Sequence, residues 1–332
     1  MPDLPFPRPK RSSRSFGLCV IAGLALSQSA CISDWSLGRV NAPTPASQAE
    51  GPREMVDRLV AKGMPTRLLV AADIGQCNHD RQPRDAVRAT AALIDERPGL
   101  VIAAGDLAYP DGRAVDFSEC YDPAWGGLRS RTLPAPGNHE YHSVGAPGYF
   151  QYFGALAGPA QRGWYSVDFG GWHIISLNSN VPSDEGSAQL AWLRSDLARR
   201  PQGCLAAFWH HPRFSSGGHG NNYTMDAPWR LLAEAGADAV FNGHDHDYER
   251  FAPQDATGQQ VEGGIREFVV GSGGAALTPF LLPKDHSEVR NNSTYGILEV
   301  NLRPDGYEWR FLGTDQAEFE DRGSASCHHH PA

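Results

Sequence analysis

The stretch Phe241-Asn242-Gly243-His244-Asp245-His246 leaves an apolar run and presents two histidines one residue apart. In extended backbone, alternate side chains share a side. His244 and His246 would then stand about 7 Å apart at their roots, within reach of one metal or of two neighbouring metals. Gly243 suits a sharp exit from a strand, because glycine tolerates backbone angles that other residues avoid. A polar turn with solvent-facing histidines uses the same residues, so the rest of the chain decides. Four other apolar runs also end in donor side chains: Asp73, then Gly105-Asp106, then Gly137-Asn138-His139-Glu140, and His210-His211.

The residue types fit one chemistry. Two metals about 3.5–4 Å apart clamp the attacking and leaving oxygens of a phosphoryl transfer, and water held there becomes a hydroxide nucleophile near neutral pH. Such a pair needs a bridging carboxylate, imidazoles for ions of intermediate softness, and a neutral oxygen donor that adds no charge. Asp106 can bridge, the histidines suit iron, zinc or manganese, and Asn138 is the neutral oxygen.

The elements that position these groups are strand-length apolar runs at 67–73, 100–106, 132–138, 172–179, 204–212 and 239–246. Near-continuous apolar runs without alternation read as strands buried on both faces. Helical patterns at 83–96, 187–200 and 226–236 lie between several of them, with Ser187 and Asp226 as N-caps and Gly236 as a stop. Strands alternating with helices predict an α/β fold with helices covering the sheets. In such folds ligands bind at the carboxyl ends of the strands, where the donors fall. The tail, 261–314, carries hairpin signals such as Arg303-Pro304-Asp305-Gly306-Tyr307 and predicts a second, partly antiparallel sheet. Residues 32–65 are rich in Pro, Ala and Ser and read as a linker or irregular approach.

Together, Asp73-x-Gly75, Gly105-Asp106-x-x-Tyr109, Gly137-Asn138-His139-Glu140, His210 before Pro212, and Gly243-His244-x-His246 resemble the five-motif signature of the calcineurin-like metallophosphoesterases. Gly75 in place of a histidine ligand, with Tyr109 as an added one, looks like the purple acid phosphatase branch. The resemblance covers about residues 67–325, and the motif set is specific where single members are not. Ala72 stands where the family usually has glycine before the Asp, a slight departure. The resemblance implies a four-layer α-β-β-α sandwich of two mixed sheets flanked by helices, and a dinuclear centre. One site would take Asp73, Asp106, Tyr109 and His246 around Fe(III). The other would take Asp106, Asn138, His210 and His244 around Fe(II), Zn(II) or Mn(II). His210 rather than the adjacent His211 matches the family's His-x-Pro spacing. His139 and His219 match positions that bind phosphate, with Asn138, or protonate the leaving group as catalytic residues. The implied activity is metal-dependent hydrolysis of phosphomonoesters by a metal-bound hydroxide. The alternatives are a phosphodiesterase with the same metals, or a non-catalytic binding lipoprotein of the cell envelope. Substrate choice falls to the loops 110–131, 141–163 and 213–226.

The 332 residues suffice for a substantial core. Residues 1–31 read as an export signal: Arg8, Lys10, Arg11 and Arg14 precede the 11-residue apolar segment FGLCVIAGLAL. Cys31 resembles a bacterial lipoprotein's attachment cysteine, although Gln28 departs from the usual Leu. The expectation is export to the periplasm, envelope or medium, with membrane contact only through a lipid on Cys31. Of 29 basic and 38 acidic residues, four basic and one acidic fall within the first 30, so a processed chain carries a net charge of −12. No later stretch is a basic run, which argues against nucleic acid as a partner; a small phosphorylated substrate is expected instead. Export permits disulfides. Cys77, Cys120, Cys204 and Cys327 allow three pairings that sequence does not choose among; we take Cys77–Cys120 and Cys204–Cys327 as the expectation. The chain thus divides into a signal (1–31), a linker (32–65), a catalytic domain (66–325) and a His-rich tail (326–332) facing solvent.

Overall fold

The computed structural model describes residues 50–314 and 319–328. The export signal with Cys31, the linker up to residue 49, and His329 and His330 of the tail lie outside them.

Two mixed sheets stand face to face. The first runs in the order β13 (Arg322–Ser326), β12 (Gly306–Gly313), β11 (Gly296–Arg303), β1 (Arg67–Ala71), β2 (Leu100–Ala104), β3 (Thr132–Ala135). Its β1, β2 and β3 are parallel, while β11 pairs antiparallel with β1, Leu68 opposite Val300. The second sheet runs β10 (Ser287–Asn291), β8 (Tyr248–Phe251), β9 (Arg266–Val270), β7 (Ala239–Asn242), β6 (Cys204–Phe208), β5 (Trp172–Ser176), β4 (Tyr165–Phe169). Its centre, β5-β6-β7-β9, is parallel.

Burial on both faces explains the unbroken apolar runs. In β6, Cys204, Ala206 and Phe208 join the core cluster that contains Leu68, Val70 and Ile102 of the first sheet. Leu205 and Ala207 face the other way and pack with Leu190 and Leu193 of helix Ala188–Leu197 and with Trp229 and Leu232 of helix Asp226–Glu234. On the first sheet's side, helix Asp85–Asp95 buries Val87, Ala91 and Ile94. The result is the four-layer sandwich. Ser187 caps its helix by accepting from the Leu190 amide at 3.1 Å, and Gly236 ends the next one at φ +74°.

Four expectations are corrected. The tail is divided between the sheets: β9 and β10 join the antiparallel edge of the second sheet, as expected in part, whereas β11–β13 extend the first sheet from β1. Residues 52–61, assigned to the linker, form a helix that buries Met55, Val56 and Leu59. Asp226 is the first helical residue rather than an N-cap, and its carboxylate holds Arg213 and Arg230 at 2.7 Å each. In the tail, His328 is half-buried against Asp238 at 3.1 Å, not solvent-facing. Both expected disulfides are formed.

Candidate metal centre

β1 and β2 end side by side, and the chain beyond them stays paired. The Asp73 amide donates to the Gly105 carbonyl at 3.0 Å, Ile74 to Asp106 at 2.9 Å and Gly75 to Leu107 at 3.0 Å. Asp73 and Asp106 are thereby held in register. Gly75 is required by closeness: a Cβ there would lie 2.4 Å from the Leu107 carbonyl oxygen and 3.1 Å from Tyr121. No ligand side chain of any kind fits at that position. Gly243 follows the same logic, since its Cβ would meet Ala72 at 2.3 Å and Asp73 at 2.4 Å. The unusual backbone angle expected at Gly243 falls one residue later. His244 has φ +73°, Asp73 +58° and Asp106 +50°. Left-handed backbone costs a non-glycine residue about 1–3 kcal/mol and gathers at functional sites. Three of the expected ligands adopt it.

All nine residues expected at the site converge. The Tyr109 hydroxyl lies 3.0 Å from Asp73 Oδ1, 3.3 Å from Asp106 Oδ2 and 3.0 Å from His246 Nε2. His246 Nε2 is 3.4 Å from Asp73 Oδ1. His210 Nε2 lies 3.2 Å from Asp106 Oδ2 and 3.1 Å from Asn138 Oδ1. The His244 amide donates to Asp73 Oδ2 at 2.8 Å, while its ring stands 5.1 Å from the His210 ring. His244 and His246 therefore part company, because the backbone between them bends instead of running extended. Donor atoms of Asp73, Asp106 and His246 form one group within 4.8 Å, and those of His210, His211 and His244 form another. Asp106 touches both.

The donor set fits cations. His210 Nδ1 donates to the Ala104 carbonyl at 3.0 Å and His246 Nδ1 to Ala276 at 2.8 Å. Metal-binding histidines commit the other ring proton in this way, which leaves each Nε2, set among carboxylate or amide oxygens, as the nitrogen open to a cation. Tyr109 has one proton for three acceptors. Burial first, then the Asp73 and Asp106 charges, push its phenol pKa well up. Burial works against the charged forms of His210 and His246 as well, yet Asp106 and Asp73 beside them push each up to about 9. Bare, the cluster collects protons where positive ions would serve.

His139 and His219 border the same space. The His139 amide donates to Asp106 Oδ1 at 2.8 Å, and its Nε2 lies 3.7 Å from Asp106 Oδ2. His219 Nδ1 lies 2.9 Å from Asp245 Oδ1, and its ring sits 4.1 Å from His244. The bond to Asp245 raises the His219 pKa. His211 is placed differently from His210. Its Nδ1 meets Ser179 Oγ at 2.8 Å, and burial first, then the neighbouring His210 charge, lower it to about 3.

Sequence reading missed two organisers. Glu140 is fully buried and accepts from the amides of Gly137 (2.7 Å), Leu107 (2.9 Å) and Ala108 (3.1 Å), tying two ligand loops together. Its place in the Gly-Asn-His-Glu motif was the available signal. Asp245, between the two histidines, holds the His219 amide and ring.

Two facing sheets whose carboxyl ends share a ring of Asp, Asn, Tyr and His donors define a candidate two-metal centre. A model of the calcineurin-like phosphoesterase family matches residues 66–248, and the chain belongs to that family. Purple acid phosphatase 15 of Arabidopsis thaliana is 28% identical over 229 residues, 56% of this chain and 41% of its own. Acid phosphatase type 7 of Homo sapiens is 28% identical over 282 residues, 71% of this chain and 61% of its own. The chain thus spans about half the length of these curated relatives. Among solved structures, purple acid phosphatase PPD1 of yellow lupin is similar at TM-score 0.64 and 20% identity, covering 79% of this chain and 53% of its own. GAP50, the anchor in the inner membrane complex of Plasmodium, is similar at TM-score 0.62 and 14% identity, covering 79% and 89%. At these identities the structural likeness shows the fold.

Proposed function

We propose that the protein hydrolyses phosphomonoesters at a dinuclear centre. Asp106 spanning two groups of donors is the observation that carries this reading. Asp73, Asp106, Tyr109 and His246 would hold Fe(III), since a phenolate is a hard, charged donor. Asp106, Asn138, His210 and His244 would hold Fe(II), Zn(II) or Mn(II). When bound, such a pair activates water and neutralises the phosphoryl oxygens. The chain's own residues supply the rest. His139, anchored through Nδ1 on the Pro110 carbonyl at 2.5 Å, presents Nε2 to a phosphoryl oxygen. His219, with Nδ1 on Asp245, keeps Nε2 for the proton that the departing alkoxide needs. Asp245 favours the protonated ring, which suits a general acid below neutral pH.

The similarity to acid phosphatases supports monoesters over the phosphodiesterase reading. The likeness to an anchor protein is one of fold, and the full donor set speaks against a purely structural role. Two disulfides fit an oxidising compartment, so we place the protein outside the cytoplasm. The test is turnover of p-nitrophenyl phosphate and bis-p-nitrophenyl phosphate from pH 4 to 10, by the protein and by Asp106→Ala. Monoester turnover that falls at least 1,000-fold in the variant is expected. Preference for the diester would overturn the substrate class.

A further inference from the structure

A groove of about 720 Å³ begins beside the candidate centre. Ser179, at its inner end, bonds His211, whose ring stands 4.4 Å from that of His244. Asn180, next along, reaches the Pro136 carbonyl at 3.0 Å, two residues before Asn138. The groove therefore starts one imidazole away from the metal donors. Its walls are apolar at Val181, Pro182 and Tyr223. Tyr223 is 70% exposed, an unusual state for a large aromatic ring, and the Arg213 guanidinium steadies it from 4.7 Å.

The polar groups at the lip are committed to each other. Ser183 donates to the Thr224 carbonyl, Glu185 holds Arg194, and Asp226 holds Arg213 and Arg230. Among the described residues no basic side chain lines the groove, whereas Asp184, Glu185 and Asp226 do. With Glu185 and Asp226 paired to arginines, the lip carries little net charge. The apolar wall favours an uncharged hydrocarbon over a second phosphate, which would lose its hydration there without a cation to receive it.

We propose that this groove takes the alcohol half of the substrate, and that the alcohol is an uncharged alkyl or aryl group without a further phosphate. The proposal rests on the phosphomonoesterase reading. It makes the loop 179–185, with Tyr223, the specificity determinant.

The test measures kcat/KM for n-alkyl phosphates from ethyl to hexyl, which share one leaving-group chemistry, and for hexane-1,6-diol bisphosphate. Each buried methylene is worth up to about four-fold, so hexyl phosphate should exceed ethyl phosphate by more than ten-fold. The bisphosphate should fall at least ten-fold below hexyl phosphate. Val181→Ser combined with Tyr223→Ser should flatten the chain-length dependence. A flat series, or a bisphosphate as good as hexyl phosphate, with ethyl phosphate still turned over, overturns the groove and leaves the phosphomonoesterase reading standing. No turnover of ethyl or p-nitrophenyl phosphate overturns that reading, and the proposal with it.

Discussion

At the scale of the residue, the site is a problem of too many acceptors. Tyr109, Asp73, Asp106 and His246 point oxygens and a nitrogen at one another, with one phenolic proton among them. Replacing Tyr109 by Phe removes the only phenol in that group. In iron-loaded protein this should abolish the visible phenolate-to-ferric absorption while far-ultraviolet circular dichroism stays unchanged; a surviving band would assign the colour elsewhere. Glu140 poses the opposite problem. Burial, then the charge of Asp106, pushes its carboxyl up to about 8, while the amide donors of Gly137 and Ala108 pull it down. Glu140→Gln turns one acceptor oxygen into a donor facing amides. Stranding buried N–H groups costs about 1–3 kcal/mol, so the unfolding free energy from urea titration should fall by that amount and the midpoint with it. An unchanged midpoint would deny Glu140 its role as organiser.

At the scale of the element, much was legible. All six apolar runs contain strands, because burial on both faces demands continuous apolar residues. Each strand nevertheless stops short of its run's last predicted residue. Asp73 and Asp106 turn left-handed, a conformation that sequence does not announce for aspartate. Their pattern put the donors at the right ends of the strands but could not supply the bend that separates His244 from His246. β8, Tyr248–Phe251, was illegible for another reason. Its Glu249 and Arg250 are buried, satisfied by Ser216 and Asp321 from distant segments. The helix 52–61 did carry a signal at Met55, Val56 and Leu59, but its flanks rich in Pro and Ala outweighed it. Hairpin chemistry in the tail was local and readable, whereas its pairing with β1 depends on residues over 200 positions away.

β5 also carries an element-scale pH dependence. His173 lies between Asp168 (2.6 Å) and Asp196 of helix Ala188–Leu197 (2.9 Å), so both ring nitrogens donate when it is charged. Burial opposes that charge, but Asp196 and Asp168 outweigh it and raise the pKa above 6.5. A raised histidine pKa stabilises the fold fully below 6.5, and the gain is lost as pH climbs through the folded value. His173→Gln should therefore cost more stability at pH 5 than at pH 9 in matched urea titrations. Equal cost at both would refute the linkage.

At the scale of the molecule, Cys204–Cys327 joins residues 123 positions apart, the start of β6 in the second sheet to the residue after β13 in the first. Chain entropy alone values a loop of that size at about 5 kcal/mol, of which disulfides typically deliver about 2–4 kcal/mol. The double variant Cys204→Ser, Cys327→Ser should lose that much unfolding free energy, measured by denaturant titration, while keeping the far-ultraviolet spectrum. A loss below about 0.5 kcal/mol would show that the sheets need no such tie.

The proposed metal donors are divided between the sheets as well. Asp73, Asp106 and Asn138 leave the first, and His210, His244 and His246 leave the second. The His244 amide closes on Asp73 across 171 positions of sequence. No fragment emerging early in synthesis holds the whole proposed centre, so an ion would settle firmly only after the last central strand has docked. On the proposed reading, metal uptake would work as an inspection stamp: a loaded molecule would be one in which the two sheets have come together.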